Sequence, residues 1–391
     1  MDNAEATKAR TMIGQRAAAG LREAAPQLKT HPVLVGFDGF VDSIIDVVDK
    51  RQSTEQYDAV DTIEAFGQRI QSLAGQSANF ELVTKLQKLG GNGPIMANAL
   101  ASAGLPVTYI GCLGEGSLHP VFEQFANHAE VYSIGDPGYT DALEFHDGKL
   151  MLGKHTNLRH VNYDRLCEKV GEDRLIQWCA SARLLGMVNW TMLVEMHSIW
   201  DGLIERVLPN LPADSEPPLL FVDLADPAKR MTEDIEAALT RLSRLNQHAK
   251  VALGLNLNES KQLARVVGVP VPEAPEASIE STARELRAAL GLQGVVVHPR
   301  TSAAGAWLDD HDQVHTAQFN GPFVQRPALS TGAGDNFNAG FCLGLLTGLD
   351  IEAALCVGTA TSGYYVRNAN SPTLDQLANF CDDLPDPEPS D

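Results

Sequence analysis

Short apolar runs rich in β-branched residues recur along the chain, and segments with helical character separate most of them. This alternation predicts an α/β fold in which a mainly parallel sheet is covered by helices on both faces. The helical segments include 231–247 and 278–290. The runs that we interpret as buried strands are 31–37, 106–113, 183–188, 219–224, 251–257 and 294–297.

Two regions, about 40–80 and 130–165, fit the alternation poorly. Within the second, residues 142–153 carry Asp147-Gly148 between two strand-like runs, a pattern typical of a β-hairpin. Residues 81–89 are interpreted as a helical stretch. We therefore expect a small, mainly β lid inserted into the main domain.

The two ends of the chain differ from the rest in composition. Residues 1–30 are Ala-rich and predict a helical leader, and 381–391 are acidic and Pro-rich, which predicts a disordered tail. The main α/β domain is then expected to span 31–380, with both lid segments inside it.

Charge narrows the classes of partner. The 391 residues include 50 acidic and 30 basic side chains, a formal net charge of -20. Such a surface repels phosphate backbones and anionic lipid, so we expect neither nucleic-acid nor membrane binding. The chain begins without a signal-peptide pattern, and no apolar run reaches membrane-spanning length. We expect a cytoplasmic protein, and the spacing of its six Cys and eleven His predicts no protein-built transition-metal site.

The strongest chemical signal is a glycine-rich turn, Gly332-Ala333-Gly334-Asp335, that leads into the apolar helix predicted at 337–348. Glycines allow backbone N–H groups to face one point, and a helix N-terminus adds positive potential, so the turn predicts an anion cradle. A carboxylate there is placed to accept a proton from an attacking hydroxyl. The alternative for Asp335 is a plain helix cap. Neither a P-loop nor a dinucleotide-binding glycine motif occurs in the sequence.

Three more segments occur in order before this turn: Gly90-Gly91 before a small-residue helix, the strand and turn 221–230, and Asn256-Leu257-Asn258-Glu259 after a strand. Together with the glycine turn they resemble the ribokinase-like (PfkB) carbohydrate kinases over roughly residues 31–370. Any one match is weak, and the ordered set is strong.

The resemblance implies transfer of a nucleotide's terminal phosphoryl group to a hydroxyl of a sugar or sugar-like molecule. ATP is the expected donor, with ADP as the alternative, and Mg²⁺ is the expected cofactor. The resemblance gives each candidate residue a role. Asp335 is the base; Gly332, Ala333 and Gly334 form the anion hole; Asp42, Asp38, Gly91 and Asn92 bind substrate; Asn256 and Glu259 hold Mg²⁺ through water, with Thr331 beside the nucleotide.

Several positions depart from the family pattern. Leu329 replaces an Asp of the monovalent-cation site, so such a cation is doubtful, and Ile95 replaces a sugar-binding Asn, which argues against a ribokinase-type pocket. His298-Pro299-Arg300 stands in place of the Thr-Leu-Gly nucleotide turn and keeps ADP open as donor. An ADP-dependent sugar kinase, a nucleoside kinase and a non-catalytic sugar- or nucleotide-binding regulator remain as alternatives. Homodimer formation through the β lid also remains open.

Overall fold

The computed structural model describes residues 3–213 and 215–389. Residues 1, 2, 390 and 391, which belong to the predicted leader and tail, lie outside the described residues. In the described part, the strands are β1 (Val33–Phe37), β2 (Phe40–Arg51), β3 (Tyr57–Ala59), β4 (Leu82–Gly90), β5 (Val107–Gly111), β6 (Glu130–Ser133), β7 (Gly138–Phe145), β8 (Gly148–Lys154), β9 (Leu184–Val188), β10 (Leu219–Asp223), β11 (Lys250–Leu255), β12 (Gly294–Val297), β13 (Ser302–Leu308) and β14 (Val314–Asn320).

The helices of the same part are α1 (Asn3–Ala24), α2 (Ile63–Ser72), α3 (Asn92–Ser102), α4 (Glu123–Ala126), α5 (Tyr163–Val170), α6 (Glu172–Ser181), α7 (Met196–Gly202), α8 (Thr232–Leu245), α9 (Leu257–Val266), α10 (Ile279–Leu290), α11 (Ala333–Leu346), α12 (Ile351–Asn368) and α13 (Leu374–Asp382). Short 3₁₀ segments connect several of them. None of the described helices is long and apolar enough to span a bilayer.

The main sheet has the strand order β14-β13-β12-β11-β10-β9-β1-β5-β6 within the described residues. Neighbours from β6 to β12 pair in parallel, and β13 and β14 form an antiparallel edge. All residues of β1, β9 and β10 are buried, as expected for central strands covered on both faces. The predicted fold class is confirmed.

Alternate residues of the central strands enter two different hydrophobic clusters. Leu185 and Met187 of β9 pack with residues of α5 to α10, whereas Leu184 and Val188 pack with residues of α1, α3 and α11 to α13. Because successive strand side chains point to opposite faces, these clusters are the two layers that cover the sheet. Helices α3 and α11 therefore lie on the same face, and both begin at the site described below.

The second, smaller sheet consists of β2, β3, β4, β7 and β8. It includes the hairpin predicted at 142–153, in which Phe145 pairs with Gly148. The prediction of a helix at 81–89 was wrong: β4 pairs antiparallel with β2 from Phe40↔Gly90 to Val47↔Leu82. Edge pairing with a long neighbouring strand overrides the helical preference of the Leu, Lys and Gln residues in this stretch.

Helix α2 covers one face of this small sheet. Its Phe66 stacks on Phe145 of β7 at a ring-centroid distance of 5.5 Å and packs edge-on against Phe80 at 5.2 Å. Ile45 and Val47 of β2 join the same cluster. The small sheet thus has its own apolar core, and Asp42 of β2 points to the opposite face because its position alternates with that of Ile45.

The ends of the described chain pack on the main domain. Helix α1 packs against α12 and α13, and Arg10 of α1 donates to the backbone oxygens of Asn320 and Pro385 at 3.0 and 2.8 Å. Residues 383–389, within the predicted tail, form no helix or strand. The Glu388 N–H donates to the Phe323 carbonyl at 3.1 Å, so this segment passes close to a residue that lines the cleft described next.

Candidate active site

A cleft of about 480 Å³ opens at the carboxyl ends of the parallel strands. Such a position is where ligands bind in open α/β sheets. The cleft is walled by the ends of β10, β11 and β12, by the first residues of α3 and α11, and by α12. Of the predicted site residues, it is lined by Asn92, Asn256, Glu259, Ala333, Gly334 and Asp335.

Asp335 occupies the first turn of α11 and is 7% exposed. The turn before it depends on Gly332, which has a φ of 93° and whose Cβ, if present, would lie 2.9 Å from the Tyr365 hydroxyl. That hydroxyl donates to the Thr331 carbonyl at 2.8 Å, which fixes the entry to the helix. The pKa of Asp335 is raised well above its ordinary value, first by burial and then by the negative charge of Asp223.

The backbone N–H groups of the predicted anion hole differ in their partners. The Ala333 N–H donates to the Ser330 carbonyl at 3.2 Å. The Gly334 N–H has no acceptor among residues 3–213 and 215–389 and borders the cleft. Gly334 is therefore the stronger candidate for contact with an anion at the start of α11.

Asn92 connects the predicted substrate region with the predicted base. Its side-chain Nδ2 donates to the Asp335 Oδ1 at 2.8 Å. Its backbone N–H, with that of Gly93, donates to the Asp38 carboxylate at 3.0 and 2.9 Å. Gly91 before it has a φ of 96°, a conformation that favours glycine.

Asp38 is fully buried and does not line the cleft. Besides the two amides of α3, its carboxylate accepts from Asn189 Nδ2 at 2.6 Å and from the Tyr109 hydroxyl at 3.2 Å. Burial raises its pKa to about 6, although these donors act in the opposite direction. A carboxylate saturated in this way favours a role in holding the start of α3 over direct contact with substrate.

Asp42 lies on the small sheet and is 4% exposed. Burial raises its pKa, while a hydrogen bond from Thr140 opposes the rise. A Cβ at Gly90, its neighbour on β4, would lie 2.3 Å from the Asp42 Cγ. Burial, and then the negative charges of Asp335 and Asp42, raise the pKa of Tyr365.

Asn256 and Glu259 form a capping box at the start of α9. The Asn256 Oδ1 accepts from the N–H groups of Asn258 and Glu259 at 2.9 and 3.0 Å. The Glu259 carboxylate accepts from the N–H of Asn256 at 2.7 Å and from that of Asp226 at 2.8 Å. The motif therefore fixes the β11–α9 turn to the loop after β10. Burial, and then the charge of Asp223, raise the pKa of Glu259 to about 7.

Asp223, at the end of β10, lines the cleft. The sequence indicated only the segment 221–230 that contains it, and not this residue by itself. It accepts from the Ala225 N–H at 2.8 Å and from Asn338 Nδ2 of α11 at 2.7 Å. It is 8% exposed, and its burial raises its pKa. Its position as a carboxylate at the end of a central strand could have indicated a site residue. Its partner Asn338 could not be recognised from the sequence, because the two residues lie 115 positions apart.

The carboxylates of Asp223, Glu259 and Asp335 border one cleft, and each has a raised pKa. Closely placed carboxylates of this kind are stabilised by a cation, and hard oxygen donors suit Mg²⁺. No group of three or more His, Cys, Asp or Glu in the described part of the chain is arranged to hold a metal directly. The donors fit Mg²⁺ held through water and through ligand phosphates.

The cleft is also lined by the turn His298-Pro299-Arg300, which departs from the pattern of the resembling family, and by the aromatic residues Phe323 and Phe337. His298 stacks on Phe337 with ring centroids 4.5 Å apart, and burial lowers its pKa to about 4, so it is neutral at pH 7. The Arg300 guanidinium lies 5.3 Å from the centroid of the Phe323 ring. Ile95, at the position of a sugar-binding amide in the family, is buried near Gly332.

Solved structures with the same fold include phosphofructokinase-2 of Escherichia coli in complex with fructose-6-phosphate and a ribokinase of Thermotoga maritima. The first aligns with a TM-score of 0.59 at 14% identity over 90% of this chain and 97% of its own. The second aligns with a TM-score of 0.55 at 14% identity over 90% and 98%. The fold is therefore that of the ribokinase-like carbohydrate kinases.

Similarity in sequence assigns the chain to a particular family within this fold. A ketohexokinase of Haloferax volcanii is 34% identical over 372 residues, which cover 93% of this chain and 95% of the relative. The family model for prokaryotic ketohexokinases matches residues 12–384, and the chain belongs to that family. It is a carbohydrate kinase, a phosphotransferase with an alcohol group as acceptor.

Proposed function

We propose that this protein transfers the terminal phosphoryl group of ATP to a hydroxyl of a ketohexose, with Asp335 as the general base. The observation that carries the proposal is the position of Asp335: a buried carboxylate at the start of α11, bordering the cleft beside the free Gly334 N–H. A simple helix cap would not need a hydrogen bond from Asn92 on another helix. The substrate class follows from the relative of Haloferax volcanii, which is a ketohexokinase.

In the proposed reaction, Asp335 accepts the proton of the attacking hydroxyl as its oxygen forms a bond to the terminal phosphorus. The bond from that phosphorus to the bridging oxygen breaks, and ADP leaves. The Gly334 N–H and the positive end of α11 stabilise the charge that develops on the transferred group. Most of the acceleration in such a transfer comes from positioning and electrostatics.

The raised pKa of Asp335 suits this role. A base works best when its pKa lies near the operating pH, and burial with the nearby Asp223 charge moves the carboxylate in that direction. Asn92 opposes the shift through its hydrogen bond and also fixes which oxygen faces the cleft.

Mg²⁺ is the proposed cofactor, and when bound with the nucleotide it would supply charge neutralisation at the phosphates. Asp223 and Glu259 would hold it through water, since both carboxylates already accept backbone N–H groups. Asn256 would position Glu259, because its side chain serves the capping box.

The small sheet, with its segments in 40–80 and 130–165, is proposed to act as a lid on the 31–380 domain. Asp42 would bind a sugar hydroxyl from this lid, because its carboxylate is buried on β2 and its negative charge, like that of Asp335, acts on Tyr365. Gly91 and Asn92 would border the sugar, and Asp38 would hold them in place. Closure over the sugar would exclude water, which otherwise competes as phosphoryl acceptor.

A coupled assay with fructose as acceptor and ATP or ADP as donor, each with Mg²⁺, tests the proposal. We expect turnover with ATP and a ketohexose, and much less with aldohexoses or nucleosides. Turnover with ADP alone would identify the ADP-dependent alternative. Binding of sugar and nucleotide without any phosphoryl transfer to the whole panel would favour the regulator.

A further inference from the structure

Arg300 has an unusual electrostatic position. It is the one Lys or Arg among the residues that line the cleft within 3–213 and 215–389, whereas three carboxylates, Asp223, Glu259 and Asp335, line the same cleft. A nucleoside triphosphate brings several negative charges into this acidic cleft. A cation of the protein in this cleft would offset part of the resulting repulsion, in addition to any metal.

The guanidinium of Arg300 contacts an aromatic ring but is not paired with a carboxylate of the described residues. It lies 5.3 Å from the Phe323 ring centroid, a distance suited to a cation–π contact. Within the described residues it forms no hydrogen bond or ion pair, and the side chain is exposed. Its five N–H donors are therefore available to a ligand.

The ring beneath Arg300 has a fixed backbone. The Arg367 side chain donates to the carbonyls of Pro322 and Phe323 at 2.6 and 3.4 Å, and the Glu388 N–H donates to the Phe323 carbonyl at 3.1 Å. Phe323 can thus act as a rigid platform, so Arg300 loses less side-chain freedom when a ligand binds than an unsupported surface arginine would.

The place of Arg300 along the cleft indicates which part of a nucleotide it would meet. Two residues before it, the His298 ring approaches Gly334 of the anion hole, with Cε1 3.6 Å from where a Gly334 Cβ would lie. The apolar residues Phe323, Val324 and Val366 line the same cleft and suit contact with a base. Arg300 follows His298 by two residues in the chain and lies over Phe323, one of these apolar residues. Its positive charge suits the phosphates that are not transferred rather than an uncharged base.

We propose that Arg300, supported on Phe323, binds the non-transferred phosphates of the nucleotide, and that it replaces part of the contact made by the Thr-Leu-Gly turn elsewhere in the fold. This inference rests on the proposed use of a nucleotide donor. A planar guanidinium suits phosphate oxygens because it can donate two parallel hydrogen bonds.

Calorimetric titration of the full chain with ADP and with adenosine tests the assignment in Arg300→Gln, Arg300→Lys and the control Arg284→Gln. Arg284 is an exposed residue of α10 that does not line the cleft, so its substitution makes the same charge change elsewhere. We expect Arg300→Gln to weaken ADP binding about tenfold or more, to leave adenosine binding within about twofold of wild type, and to reduce the salt dependence of ADP binding. Arg300→Lys should retain part of the ADP affinity.

Two results would overturn the assignment. ADP affinity in Arg300→Gln that matches wild type would show that the phosphates do not meet this side chain. Equal losses for ADP and adenosine would show that Arg300 shapes the base pocket instead. A wild-type chain that binds neither ADP nor ATP would overturn the proposed function as well, which separates the two failures.

Discussion

The side-chain amide of Asn92 donates a 2.8 Å hydrogen bond to the carboxylate of Asp335, across 243 residues of sequence. The same residue's backbone N–H is held by Asp38, and Asp38 in turn accepts from Asn189 after β9. A largely buried chain of four polar residues thus connects the first turns of α11 and α3 with the segments that follow β1 and β9. It fixes the orientation of the proposed base before any substrate enters.

Asp335→Asn tests the proposed base directly. The change keeps the shape and the contact with Asn92 but removes the proton acceptor, so kcat should fall by about two orders of magnitude or more. ADP affinity should change far less, since the N–H groups of α11 remain. Initial rates at saturating ketohexose and ATP give kcat, and calorimetry gives ADP affinity.

The matched control is Asp310→Asn, which alters an exposed carboxylate paired with Lys250 far from the cleft. It should leave kcat unchanged. Near-normal turnover in Asp335→Asn would contradict the assignment and return Asp335 to the role of a helix cap.

Asn92→Leu tests the hydrogen bond from Asn92 to the Asp335 carboxylate. Since the Asn92 contact lowers the pKa of Asp335, its loss should raise that pKa further and favour the protonated, inactive form. The acidic limb of the pH profile of kcat should therefore move to higher pH, by about one unit if the bond contributes a typical charge-assisted energy. A purely structural role would lower kcat at all pH values without moving the limb.

The parts of the molecule that sequence could predict are those with a local pattern. The apolar runs predicted the central strands because a short run of apolar residues indicates a buried strand. The glycine turn before Asp335 could be recognised because its pattern lies within four adjacent residues. Residues 81–89 were predicted wrongly because their local helical preference is overridden by pairing with β2, which lies some forty residues earlier.

Long-range contacts were beyond prediction from one sequence. Spacing favoured Asp42 over Asp38 as the substrate ligand but could not show their surroundings: Asp38 is buried against α3, and Asp42 lies on the small sheet. The Asp223–Asn338 pair gave no local signal, because each partner lies in a different element and only the packing of α11 on the sheet joins them.

Gly90→Ala tests the placement of Asp42. A Cβ at residue 90 would lie 2.3 Å from the Asp42 Cγ, a distance that forces the carboxylate to move. If Asp42 binds the sugar, kcat/KM for the ketohexose should fall about tenfold or more, while ADP affinity stays the same. Steady-state kinetics and ADP titration on the same preparation measure both.

The control for this variant is Gly67→Ala in α2, where an added Cβ meets nothing within 4 Å. It should leave kinetics unchanged and stabilise the protein slightly, because Ala is the better helix former. If Gly90→Ala keeps wild-type kcat/KM and a native Tm, Asp42 does not contact the substrate.

Glu259→Gln tests the electrostatic state of the cleft through stability. The pKa of Glu259 is raised to about 7 in the folded protein, above an ordinary value of about 4.3 in an unfolded chain. The folded state therefore binds more protons than the unfolded state between these two values. The stability that Glu259 contributes is present below the lower value and is lost as pH rises through about 7.

Glutamine does not titrate, so the Tm of wild type minus that of Glu259→Gln should shrink between pH 5 and pH 8. Thermal unfolding without metal or nucleotide measures this difference, with Glu285→Gln on exposed α10 as control. A Tm difference that is constant or grows with pH would contradict the raised pKa and, with it, the need for a cation beside Asp223.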